Sequence, residues 1–164
     1  MEEEVRSAAK MVFDLMQSHH LKMASAESCT GGNIAHHITL QPGSSSFFMG
    51  GVVSYSNDVK INVLGVDKEA IAANGAVSRL VVEQMAEGAV RVCSADVAVA
   101  TSGVAGPGGG SPEKPVGTVW IAASNGEQTI SRCFHFGEDR EENIMSATKN
   151  AFFMLKELVE NQKK

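Results

Sequence analysis

The sequence predicts an α/β domain with three layers, α/β/α, around a mixed, mostly parallel sheet of about five strands that includes a C-terminal hairpin. Three observations predict it. Up to residue 101, short apolar runs of strand length alternate with amphipathic helical stretches, the pattern of crossover-connected parallel strands. Near the C-terminus, two strand-like segments flank Asn125-Gly126, a dipeptide that suits the tight turn of an antiparallel hairpin. A length of 164 residues, with 43% hydrophobic and 20% charged residues, fits a single globular domain over positions 1–164.

Taken in order, residues 5–16 place Val5, Ala8, Ala9, Val12, Phe13 and Met16 on one helical stripe, which His19-His20 end. Residues 21–26 form a short buried strand, and a polar, glycine-containing turn at 27–32 leads into a helix over 33–39. Pro42-Gly43 breaks that helix, 47–54 is the next strand, and a helical segment follows at about 57–64. Ser78 is placed to cap a helix running to about residue 92, with Val82, Met85, Ala86, Ala89 and Cys93 inward. Residues 96–101 are a strand, 117–123 and 128–136 the hairpin, and the last helix starts near Asp139 with Ile144, Ala147, Ala151, Leu155 and Leu158 inward. In such sheets sites gather at the carboxyl ends of strands, which directs attention to 27–32 and 102–110.

A net charge of −5 disfavours nucleic acid as a partner, because neutralising phosphates needs clustered Lys and Arg. The longest apolar runs are far short of a membrane span. The opening Met1-Glu2-Glu3-Glu4 is the opposite of a secretory signal's basic start, so the cytoplasm is the expected location. Cys29, Cys93 and Cys133 are odd in number and lack metal-ligand spacing; they read as free thiols. Neither a metal nor a cofactor is expected.

Four segments could carry chemistry. The turn Glu27-Ser28-Cys29-Thr30-Gly31-Gly32 runs from a strand end into a helix start, where free N–H groups favour an anion or a carbonyl oxygen; it also reads as a plain capping turn. Cys29 there reads as a small buried hydrophobe rather than a thiolate. Ser44-Ser45-Ser46 is either a polar loop or the source of a serine nucleophile, which needs a base. Lys60 can serve if burial depresses its pKa, and Tyr55 could relay or orient the proton. The glycine-rich 102–110 lacks the Gly-Lys-Ser/Thr ending of a Walker loop but can form a nest of N–H groups. Arg140 is either a surface ion-pair partner or a guanidinium that grips phosphate.

In combination these segments resemble the C-terminal domain family of the CinA proteins, in its stand-alone nicotinamide-nucleotide amidase form. The matching pieces are AESCTGG at 26–32, PGSS at 42–45, VSYSNDVK at 53–60, GAVS at 75–78, SGVAGPGGG at 102–110, EKPVGTVW at 113–120 and Asp139-Arg140. They run in order over essentially the whole chain. The resemblance implies a hydrolase that converts nicotinamide mononucleotide and water to nicotinate mononucleotide and ammonia, salvaging the pyridine ring of spent NAD. Larger relatives carry a further N-terminal domain for which this chain is too short. Carried over by position, Ser45 is the nucleophile, Lys60 its base, and Tyr55 relays or orients. Ser28, Thr30 and Ser102 contact carboxamide or ribose, Gly31, Gly103 and Gly106 allow close approach, and Arg140 grips the phosphate.

This chain departs from the family pattern in three places. Glu138 separates Gly137 from Asp139-Arg140, and Ile144 stands where a second arginine is common, so phosphate binding rests on Arg140. Ser46 replaces a frequent alanine, leaving Ser44, Ser45 and Ser46 open as the nucleophile. The substrate is a small molecule, and the relatives' habit of self-association points to a homo-oligomer, a dimer first. The competing reading is a non-catalytic nucleotide-binding or regulatory module tied to competence or DNA damage.

Overall fold

The computed structural model describes residues 1–161. Five strands, β1 Met23–Glu27, β2 Phe48–Val53, β3 Val97–Gly103, β4 Thr118–Ser124 and β5 Thr129–His135, form one sheet in the order β2-β1-β3-β4-β5. β1 pairs in parallel with both β2 and β3. β4 runs antiparallel to β3 and to β5, so the sheet is mixed, with a parallel core and the expected C-terminal hairpin. Asn125 makes the hairpin turn: its Oδ1 accepts the N–H groups of Glu127 and Gln128 at 2.9 and 2.7 Å.

Helices α1 (Glu2–His19), α2 (Asn33–Thr39) and α6 (Arg140–Glu160) cover one face of the sheet. Helix α5 (Arg79–Cys93) covers the other, beside the shorter α3 (Asn57–Asn62) and α4 (Lys68–Asn74). Strand periodicity divides the side chains between these layers. Met23, Val97, Val99, Val119 and Ile121 face α1 and α6, whereas Ala24, Ala26, Ala98, Ala100 and Ala122 face α5. The α5 side of the sheet is thus paved with alanine, and the volume there comes from the helix, through Val81, Val82 and Met85.

Three elements differ from expectation. Helix α4 is too short to show an apolar stripe; its start is set by Asp67, whose carboxylate accepts the Glu69 N–H at 2.9 Å. Ser78 sits at the N-cap of α5, but its hydroxyl donates back to the Gly75 carbonyl at 2.8 Å instead of capping. β3 runs on to Gly103, which carries the glycine-rich segment directly off the strand end.

The close seat of α5 can be tested at Gly88, where an added Cβ would fall on the Leu64 carbonyl oxygen. Helix propensity favours alanine over glycine by about 1 kcal/mol. We expect Gly88→Ala to destabilise nonetheless, by about 1–3 kcal/mol in urea unfolding, because the contact is with backbone that cannot turn aside.

Candidate active site

Parallel pairing brings the carboxyl ends of β1, β2 and β3 to one edge of the sheet. The ladder continues one step past the strands: Ser28 N–H donates to Thr101 O at 3.0 Å, and Ser54 N–H donates to Glu27 O at 2.7 Å. The turn after β1 is therefore held on both sides. Helix α3 begins just after β2, capped by Ser56, whose hydroxyl accepts the Val59 N–H at 3.2 Å. That start aims Lys60 back beneath the turn. Lys60 is 1% exposed, and its Nζ lies 3.0 Å from Ser28 Oγ and 2.7 Å from Ser54 O. Burial pushes its pKa below the ordinary 10.5. A neutral amine there donates to the Ser54 carbonyl and can accept the Ser28 hydroxyl proton.

Ser45 does not meet Lys60. The three serines form a 3-10 turn, Ser44–Ser46, at the opposite end of β2, where Phe47 O accepts the Met23 N–H at the start of the sheet. Ser45 is exposed there, Ser44 is buried, and the Ser46 hydroxyl bonds Gln17 and Gly43. A strand lies between any of them and Lys60, so the structure pairs Lys60 with Ser28 instead.

A cleft of about 330 Å³ opens above Ser28, lined also by Cys29, Tyr55, Val77, Gly103, Gly106 and Arg140. Arg140 opens α6 and spans the cleft, its Nη1 donating to Gly106 O at 2.5 Å and its Nη2 to the Tyr55 hydroxyl at 3.0 Å. Tyr55 is thus engaged by Arg140 rather than by Ser28 or Lys60, contrary to the expected relay. Asn143, 2% exposed, ties α6 to the glycine-rich segment: its Nδ2 donates to Ala105 O and Gly137 O, each at 3.0 Å. The N–H groups of Ala105, Gly106, Gly108 and Gly109 make no hydrogen bond within the described residues, and neither do those of Cys29 and Thr30.

Thr30 and Ser102, expected as ligands, stand behind the cleft rather than in it. Thr30 is buried, bonded to Glu27 at 2.6 Å and to Thr101 at 2.8 Å. Ser102, 1% exposed, donates to Ala76 O at 2.9 Å and so holds the 75–78 segment that carries Val77 into the lining. Gly31 supplies a left-handed turn at φ 59°, and Gly103 lets β3 approach β4, since a Cβ would lie 2.6 Å from Thr118 O. The Cys29 thiol is pushed up to about 12 by burial, which makes it inert as a nucleophile. Glu27, Asn143 and Val77 were not singled out from sequence. The signal for Glu27 was present, as an acidic residue ending an apolar strand. A larger groove of about 480 Å³ lies between α1 and α6; Ser7, Lys149 and Glu4 line it, and Lys149 pairs with Glu4 at 3.7 Å.

The family model of the CinA C-terminal domain matches residues 5–159. The chain belongs to the CinA C-terminal domain family. It is 44% identical over 142 residues to a putative competence-damage inducible protein of Moorella thermoacetica, covering 86% of this chain and 34% of that protein. A CinA-like protein of Akkermansia muciniphila is 50% identical over 135 residues, covering 82% of this chain and 33% of the relative. The chain thus spans about a third of the length of these curated relatives. Among solved structures, the competence/damage inducible protein CihA of Agrobacterium tumefaciens superposes with a TM-score of 0.92 at 39% identity, covering 97% of this chain and 96% of its own. The competence damage-inducible protein A of Klebsiella pneumoniae does so with 0.92 at 34% identity, covering 97% and 99%. Among the described residues, no helix is long and apolar enough to cross a membrane, and none of their His, Cys, Asp and Glu side chains form a metal-binding cluster.

The buried lysine sets a pH signature. Its folded-state pKa lies below the unfolded value, so between the two the unfolded chain binds the extra proton and stability rises with pH. With lysine side chains labelled with ¹³C, one resonance should titrate below the others and vanish in Lys60→Met. That variant should also lose the rise in stability linked to this titration. A set of lysines that all titrate together near 10.5 would contradict the burial.

Proposed function

We propose that this CinA-family domain hydrolyses nicotinamide mononucleotide to nicotinate mononucleotide and ammonia, with Ser28 as nucleophile and Lys60 as base. The observation that carries the reading is the 3.0 Å contact between a buried lysine amine and Ser28 Oγ at the floor of a cleft. Neutral Lys60 takes the Ser28 proton as Oγ attacks the carboxamide carbon. The oxyanion forms beside Ser28, where the N–H groups of Cys29 and Thr30 are free to hold it. Lys60 then returns the proton to the departing nitrogen, which leaves as ammonia. Water, deprotonated by Lys60, cleaves the ester and frees Ser28.

At the other end of the cleft, Arg140 and the free N–H groups from Ala105 to Gly109 offer a bidentate grip on a phosphate inside an otherwise acidic protein. A volume of about 330 Å³ lies at the small end of ligand clefts, which suits a mononucleotide better than a dinucleotide. Tyr55 braces Arg140 in this scheme. The sequence as written needs no metal or cofactor. Action in the cytoplasm and assembly into a homo-oligomer belong to the same reading.

Ammonia release measured on nicotinamide mononucleotide decides it. Ser28→Ala should abolish turnover, Ser45→Ala should leave kcat unchanged, and Lys60→Met should cost about 10²–10⁴-fold, the span of a general base. Saturable binding without ammonia release by the wild-type protein would instead support a non-catalytic nucleotide-binding module. Arg140→Ala should act mainly through KM, because phosphate contacts are shared by ground and transition states. A loss confined to kcat would move Arg140 out of the phosphate site.

A further inference from the structure

Glu27 is the one buried carboxylate among the described residues, 1% exposed, and the reaction above makes no use of it. Its Oε1 accepts from the Thr30 hydroxyl at 2.6 Å and from the N–H groups of Gly32 and Ile34 at 3.2 and 2.9 Å. Its Oε2 accepts the Ala35 N–H at 3.0 Å. These backbone donors open α2, and the Glu27 carboxylate takes them. Among the described residues, the donors of the turn beside Ser28 left without a partner are the N–H groups of Cys29 and Thr30.

The same contacts order the hydroxyls around the nucleophile. Thr30 has one hydroxyl proton, and Glu27, an acceptor only, takes it. In the 2.8 Å contact between Thr30 and Thr101, the Thr101 hydroxyl is therefore the donor. Thr101 in turn accepts the Ser28 N–H on its carbonyl at 3.0 Å. Both flanks of Ser28 are thus tied to a single charge.

We propose that Glu27 is a positioning residue for the hydrolysis: by occupying the start of α2 and orienting Thr30 and Thr101, it holds residues 28–30 so that Ser28 Oγ meets Lys60 and the two free N–H groups face the reacting carbonyl. The inference rests on the amidase reading, and its test separates the two. In the full chain, Glu27→Gln keeps the shape but sets an amide N–H₂ against a backbone N–H. We expect a folded protein with KM within about threefold of wild type and kcat lower by about 10–100-fold, the scale of a misplacement near 1 Å. The low-titrating Lys60 resonance should stay in place, since Lys60 keeps its contacts to Ser28 and Ser54. Thr30→Val, which spares the backbone donors, should lower kcat in the same way but less, and serves if Glu27→Gln does not fold. An unchanged kcat, or a raised KM with kcat preserved, overturns the proposal.

The second readout is covalent labelling of Ser28 by phenylmethanesulfonyl fluoride, followed by mass spectrometry. The serine oxygen displaces fluoride from sulfur, and the hydroxyl proton leaves through Lys60. Glu27→Gln should be labelled about tenfold or more slowly than wild type, the same misplacement acting on another electrophile. A wild type that labels at Ser28 yet releases no ammonia removes the substrate assignment and leaves the positioning role standing. Equal labelling rates in the two proteins overturn the positioning role whatever the substrate, and a wild type unlabelled at Ser28 overturns both.

Discussion

Burying the Lys60 amine beneath a strand-end turn is the constraint on which the rest of this molecule depends. A charged ammonium at 1% exposure without a paired carboxylate is costly, and the fold answers by lowering its pKa and supplying one carbonyl and one hydroxyl as partners. Both partners come from strand ends: Ser54 follows β2 and Ser28 follows β1. Only a parallel register that brings these two ends level can satisfy the lysine, and the Ser54–Glu27 and Ser28–Thr101 backbone bonds are that register carried one residue further.

The alanine-paved face of the sheet belongs to the same arrangement. Small residues at Ala24, Ala26, Ala98, Ala100 and Ala122 let α5 lie close, and the chain after α3 packs into the same layer through Leu64 and Val66. That packing sets how far α3 stands from the strand ends, and so where the Lys60 amine falls. On the opposite face, Asn143 and Arg140 hook the start of α6 to the glycine-rich segment, which places the guanidinium in the same cleft as Ser28. The two helical layers therefore position different parts of one site: the α5 side carries the buried Lys60, and the α6 side carries Arg140.

Much of this was legible from pattern. The strand and helix periodicities, the Asn125-Gly126 turn and the alternation of elements led to the layer architecture, because local periodicity and turn chemistry are properties of neighbours in the chain. Lys60, Ser28, Gly106 and Arg140 stood out as polar, basic or glycine residues at strand ends and helix starts. Pairing was not legible. Ser45 and Ser28 are both serines within three residues of a glycine, 15 and 32 positions from Lys60, and sequence separation favours the nearer one. Thr30 and Ser102 looked like ligands because a hydroxyl near a strand end can face either a cleft or the backbone of the next segment, and here both face inward.

By itself, then, the sequence determined which segments become strands and helices, that they form a mixed sheet between helical layers, and which residue types are available at its carboxyl edge. Only the tertiary structure decided which serine the lysine meets, and that the donors opening α2 are taken by Glu27 rather than left for substrate. The physical reason is that β2 is a strand with two ends. Ser45 precedes it and Lys60 follows it, so nearness along the chain becomes separation by the strand's length, while parallel pairing sets Ser28, far away in sequence, within a hydrogen bond of the amine.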